Sequence, residues 1–100
     1  MNRKAYIITY DAVTLFKGFN PLELHNFVTT AEDIVSWWHY MKGTYIIVVD
    51  GGISAAGVSV AIHPFMGTNP YLVMEVDMKN HNGMLPAESW HWINQYMYDT

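Results

Sequence analysis

Asp11 closes the run Ala5-Tyr6-Ile7-Ile8-Thr9-Tyr10-Asp11, an apolar, β-favouring stretch that ends on a carboxylate. A strand that delivers an acid to the rim of a sheet can place a metal ligand or a general base there. The same acid can instead accept backbone amides where the strand stops. Aromatic residues are a second source of chemistry: Trp37, Trp38, Tyr40, Tyr45, Trp90, Trp92, Tyr96 and Tyr98 are numerous for 100 residues. Stacking a nucleobase on such a ring contributes about 1–3 kcal/mol and needs no net positive charge. The alternative use of these rings is to seal a sheet and an oligomer interface. Among the five histidines, His39 beside Trp38 and His91 between Trp90 and Trp92 would converge if the last helix packs on the hairpin. Such a pair offers two metal ligands or a general base near neutral pH. No two histidines have metal-ligand spacing on one helix or strand. The candidate ligand-binding set is therefore Tyr10, Asp11, Trp38, His39, Tyr40 and Trp92.

Other motifs carry less. Serine, histidine and aspartate all occur, but no nucleophile elbow joins them into a triad. Asp50-Gly51-Gly52 before a helix start has the general form of an anion-binding helix N-terminus. It lacks the lysine of a P-loop and the three glycines of a dinucleotide fingerprint, and reads first as a turn. The polar loop Lys79-Asn80-His81-Asn82-Gly83 connects strand to helix and can close over a pocket.

Composition bounds the partners. The chain is 51% hydrophobic and 14% charged, against roughly 25% charged in ordinary soluble domains. One domain over residues 1–100 is expected, with enough apolar surface left over to call for a homo-oligomer, at least a dimer. A formal net charge of −4 with only five lysines and arginines disfavours long nucleic acid, whose sequence-blind binding depends on basic residues displacing counterions. Zero cysteines remove disulfides, thiolate metal sites and cysteine nucleophiles. No run approaches the roughly 20 apolar residues of a membrane span, and no leader pattern opens the chain, so a cytoplasmic protein is expected.

The elements that must position these residues follow from periodicity and punctuation. Residues 4–11 read as a strand with bulky groups on both faces, hence near the sheet centre. Asn20-Pro21-Leu22-Glu23 is a helix start, and Leu24, Phe27, Val28 and Ala31 follow at helical spacing. Val35 to Met41 and Thr44 to Asp50 read as a hairpin about a two-residue break, Lys42-Gly43. Ser54 caps a second helix running towards His63-Pro64, although Gly57, Val58 and Val60 are poor helix formers and a strand is the alternative. Tyr71 to Asp77 is the last strand, and Pro86 opens a helix with Ala87, Trp90, Ile93 and Met97 on one stripe. The order β-α-β-β-α-β plus a final helix predicts an α+β, ferredoxin-like fold. The extra helix is left to cover an edge, the second sheet face or a neighbour. Trp37 and Trp38, adjacent on one strand, must face opposite sides.

Three segments carry a resemblance: the strand ending in Tyr10-Asp11, the hairpin Trp37-Trp38-His39-Tyr40 with Thr44-Tyr45-Ile46-Ile47-Val48-Val49-Asp50, and the strand Leu72-Val73-Met74-Glu75-Val76. Together they resemble the short bacterial and phage SinR-like proteins, over roughly residues 4–98. Those group with the small CRISPR-associated adaptation endoribonucleases and the VapD-type toxins. The resemblance implies a ferredoxin-like core, dimerisation through the sheets and, at Asp11, an acid whose pair across a twofold axis would hold Mg²⁺ or Mn²⁺ to activate water. The nuclease pattern also expects basic residues around the metal, and here the nearby candidates are only Arg3, Lys4 and Lys17.

Two functions from different classes follow. One is a non-catalytic oligomeric module without a cofactor, binding a small nucleotide-type ligand or a protein partner. In phage or mobile-element settings such a protein can sequester an immune signalling nucleotide such as a cyclic nucleotide. The other is a metal-dependent endoribonuclease or phosphodiesterase using Asp11 from two subunits. The first is favoured by the charge balance and by the single acid that the resemblance transfers.

Overall fold

The structure, a computed structural model, describes residues 3–96. Seven elements follow one another: β1 Arg3–Tyr10, α1 Pro21–Thr30, β2 Ile34–Trp38, β3 Thr44–Asp50, α2 Ala55–Met66, β4 Tyr71–Val76 and α3 Ala87–Tyr96. The four strands form one sheet in the order β2-β3-β1-β4, and every pairing is antiparallel. The class is α+β, and β1 occupies the interior position that its two apolar faces predict.

Strand alternation builds two cores from this one sheet. Tyr6, Ile8, Tyr45, Ile47 and Val49 point to the face on which α1 and α2 pack, burying Leu24, Val28, Val58, Ile62 and Met66 among them. Ala5, Ile46 and Val76 point the other way, towards Ile93, Trp90 and Trp92 of α3 and Met78 beyond β4. The final helix therefore covers the second face of the sheet. Its coverage is partial: Leu72 and Met74 of β4 stay about half exposed, at 49% and 51%.

The two helices of the first face start as their sequences predict. Asn20 caps α1 by accepting from the Glu23 amide at 3.1 Å, and Ser54 caps α2 by accepting from the Gly57 amide at 3.1 Å. Residues 55–66 are helical because Val58, Ile62 and Met66, four apart, meet the sheet as one stripe, and that burial outweighs weak intrinsic propensity. The helix runs through Pro64 and stops at Gly67, whose φ of +57° only glycine adopts readily.

Several boundaries and one helix face differ from expectation. β1 ends at Tyr10, leaving Asp11 outside the strand, and β4 ends at Val76. β2 ends at Trp38, so the hairpin loop spans residues 39–43 instead of Lys42-Gly43 alone. A two-residue primed turn needs a positive φ at its central residues, and among the described residues only Gly18, Gly51 and Gly67 have one. Along α3 the buried residues are Ser89 and Ile93, while Ala87 is exposed. Trp90 and Ile93 of the expected stripe do pack on the second face, Ala87 does not, and Met97, like Tyr98, lies outside the described residues.

Candidate ligand-binding site

Where β1 ends and β3 begins, Tyr10 and Tyr45 project from the sheet towards the first turns of α1. Their ring centroids are 6.4 Å apart at 24°, and Phe19 meets Tyr10 at 5.4 Å. His39, first residue of the hairpin loop, lies flat on Tyr45 with centroids 3.8 Å apart and planes within 6°. His25, one turn into α1, completes the group at 5.8 Å from His39. The edge of Trp37 holds His25 from a further side, with centroids 5.3 Å apart.

Tyr10, Phe19, His25, His39 and Tyr45 line an open cavity of about 450 Å³, bordered also by Ala12, Thr14, Leu15 and Phe16 of the loop after β1 and by Lys42 of the hairpin loop. Sites for small organic ligands run from about 300 to 1,000 Å³ and are apolar with a few placed polar groups. Half of the lining residues here carry aromatic rings, two of them the imidazoles of His25 and His39, and Thr14 and Lys42 are polar residues among the rest.

Hydrogen bonding fixes the state of both imidazoles. His39 Nδ1 lies 2.9 Å from the Thr44 carbonyl oxygen, which can only accept, so Nδ1 carries the proton and a neutral His39 keeps a lone pair on Nε2. His25 Nδ1 lies 2.8 Å from the Tyr45 hydroxyl. Tyr45 is 1% exposed and has this one hydrogen-bond partner; stranding its O–H would cost about 1–3 kcal/mol. Tyr45 therefore donates to His25 Nδ1, and the proton of a neutral His25 sits on Nε2. Burial, with a smaller contribution from Tyr10, pushes the Tyr45 phenol above its usual value, which keeps it a donor. Burial likewise raises Tyr10, whose hydroxyl donates to the Lys42 carbonyl at 2.8 Å and ties the hairpin loop to the cavity wall.

Asp11 stands behind that wall. Its Oδ1 accepts from the Val13 and Thr14 amides at 2.8 and 2.9 Å, and these bonds, Thr14 first, hold its carboxyl below the usual carboxylate range. The side chain of buried Asn69 donates to the Asp11 carbonyl at 2.8 Å and accepts from the Asp11 amide at 3.3 Å. Asp11 thus turns the chain from β1 into the segment that walls the cavity. Gly67 anchors the far end of this segment, since a Cβ there would overlap Gly18 and the Lys17 carbonyl.

The six residues expected to act together do not gather at one place. Tyr10 and His39 line the cavity and Asp11 shapes it. Trp38 lies on the second face, 7% exposed, beside Trp90 and Ile93. Its Nε1 has no hydrogen-bond partner. Trp92 is on that face too, donating from Nε1 to Ser36 Oγ at 2.8 Å. Tyr40 is 63% exposed in the hairpin loop. His39 and His91 do not converge: alternation sends His39 to the α1 side, opposite Trp38, and His91 is exposed on α3. The imidazole partner of His39 is His25, which sequence reasoning missed. The available signal was its position beside Leu24 on the buried stripe of α1, facing the strand that carries Trp37.

Among the described residues no three histidine, aspartate or glutamate side chains group as a metal site would. The polar loop of residues 79–83 does border a space on the second face, through His81, Asn82 and Gly83. No helix among the described residues is long and apolar enough to cross a membrane. Comparison with protein-family models, curated proteins and solved structures finds no match for this chain.

Proposed function

We propose that this chain is a small, non-catalytic binding module that holds a nucleotide-type ligand in the cavity between Tyr45, His39, His25 and Phe19. The observation that carries the reading is the pair of imidazoles, each held through Nδ1, on a cavity of about 450 Å³ with aromatic walls. Such walls suit a planar heterocycle, because base–aromatic stacking does not need the basic surface this chain lacks. Lys42 at the rim supplies one cation for a phosphate.

The ferredoxin-like assignment and the kinship with SinR-like proteins belong to the same proposal. The strand order β2-β3-β1-β4, with both crossover helices on one face, supports the fold. The half-exposed Leu72 and Met74 on the second face support a homo-oligomer, at least a dimer. Sequestration of a signalling nucleotide in the cytoplasm, as a phage-type protein would perform it, is the biological form this reading takes.

A panel of mono-, cyclic mono- and cyclic dinucleotides in a thermal-shift experiment, with and without Mg²⁺ or Mn²⁺, tests it. A ligand at 100 times its Kd stabilises by about 2.7 kcal/mol, which moves the midpoint of a domain of this size by roughly 4–8 °C per kcal/mol. A selective shift without turnover is expected. A flat panel would remove the nucleotide reading and favour a protein partner. Metal-dependent cleavage abolished by Asp11→Asn would replace it with the nuclease.

A further inference from the structure

We infer, resting on that reading, that the cavity reads the hydrogen-bonding edge of a base, with His25 Nε2–H donating to an acceptor on that edge and His39 Nε2 accepting from the adjacent N–H. The inference comes from the fixed Nδ1 partners. The Thr44 carbonyl forces the proton of His39 onto Nδ1, and the Tyr45 hydroxyl forces that of His25 away from it. Two neutral histidines of the same type thereby become one donor and one acceptor, with ring centroids 5.8 Å apart on the wall of one cavity. Neither Nε2 has a hydrogen-bond partner among the described residues, which leaves both open to solvent or to a ligand.

An N–H beside an acceptor, in one plane, is the pattern of an amidine or lactam edge. Adenine presents it as N6–H and N1, hypoxanthine as N1–H and O6. A planar group seated in the pocket that Tyr10, Phe19, His25, His39 and Tyr45 line would meet both imidazoles with that edge. Recognition of this kind is sensitive to a single methyl group on the edge, because the methyl removes the donor and leaves a histidine acceptor unpaired.

The test pairs two measurements on the unmodified protein. Long-range ¹H–¹⁵N correlation spectra of the imidazoles at pH 8 should show His39 protonated on Nδ1 and His25 on Nε2. Finding the reverse at either ring would overturn the edge assignment, whatever binds. Calorimetric titration should then show inosine 5′-monophosphate binding about tenfold or more tightly than 1-methylinosine 5′-monophosphate. Adenosine 5′-monophosphate and its N6,N6-dimethyl counterpart should show the same loss. Equal binding within both pairs would overturn edge reading and leave the nucleotide module standing. Binding by no member of either pair would remove both.

Discussion

Tyr45 concentrates the argument at the scale of single residues. It stacks on His39, bonds to His25 and is buried, and each role leaves a separate trace. Its folded-state phenol is raised above the usual value near 10, so above pH 10 the unfolded chain releases the proton first. The unfolded state then binds fewer protons than the folded one, and stability falls as pH rises from that point. Tyr45→Phe should flatten this alkaline decline in a series of thermal midpoints between pH 8 and 11, and cost about 1 kcal/mol at neutral pH through the lost bond to His25. An unchanged alkaline slope would show that Tyr45 does not titrate as described. Asp11 acts in the opposite window. Its depressed carboxyl supports the fold above the unfolded value of 3.8 and loses that contribution as pH falls through the folded one. Asp11→Asn should therefore narrow the gap in thermal midpoint between pH 3 and pH 7. The sequence made Asp11 legible as a strand-end acid with two candidate roles. Charge balance favours the acceptor role over the metal ligand, and the structure supplies its partners, the amides of Val13 and Thr14, which come within reach only once the chain turns.

Elements explain why some of the site could be read in advance and some could not. The caps at Asn20 and Ser54 and the α1 stripe are legible, since a helix start is a local pattern, whereas the Val58, Ile62, Met66 stripe of α2 emerges only from packing on the sheet. The hairpin was placed correctly as a pair of strands, but its loop was not, because a tertiary contact sets it. The Gly43 carbonyl accepts from the Tyr10 amide at 2.9 Å, and a Cβ at Gly43 would overlap the Tyr10 carbonyl. His39, the first loop residue, keeps the α1 side that alternation opposite Trp38 gives it and stacks on Tyr45. Gly67 offers a test of the other wall. Gly67→Ala should destabilise by about 2 kcal/mol or more, since it combines a positive φ with overlap on Lys17 and Gly18. Gly51→Ala, with a positive φ but open space around it, should cost roughly 1 kcal/mol. Equal losses in chemical denaturation would show that the cavity wall is not clamped at Gly67. Trp38 serves as the element-scale control. It packs on the face away from the cavity, so Trp38→Phe should leave nucleotide affinity unchanged in calorimetry.

For the whole molecule, one sheet with two unlike faces accounts for both the site and the expected assembly. Charge and composition predict incomplete burial, and it falls on β4, an outer strand whose Leu72 and Met74 stay about half exposed beside α3. Light scattering across a dilution series should give a mass of at least a dimer, and Leu72→Lys with Met74→Lys should shift it towards the monomer. A monomer at all concentrations would contradict the oligomer. The division of Trp37 and Trp38 between faces was legible from strand alternation alone. The meeting of His25 with His39 was not, because it depends on how α1 crosses β2 and β3. The most direct measurement of the central claim is a two-dimensional NMR titration of the labelled protein with inosine 5′-monophosphate. The account predicts shifts concentrated at Tyr10, Phe19, His25, His39, Lys42 and Tyr45. Shifts centred instead on Trp38, Trp90 and the loop of residues 79–83, or no shifts at all, would contradict it.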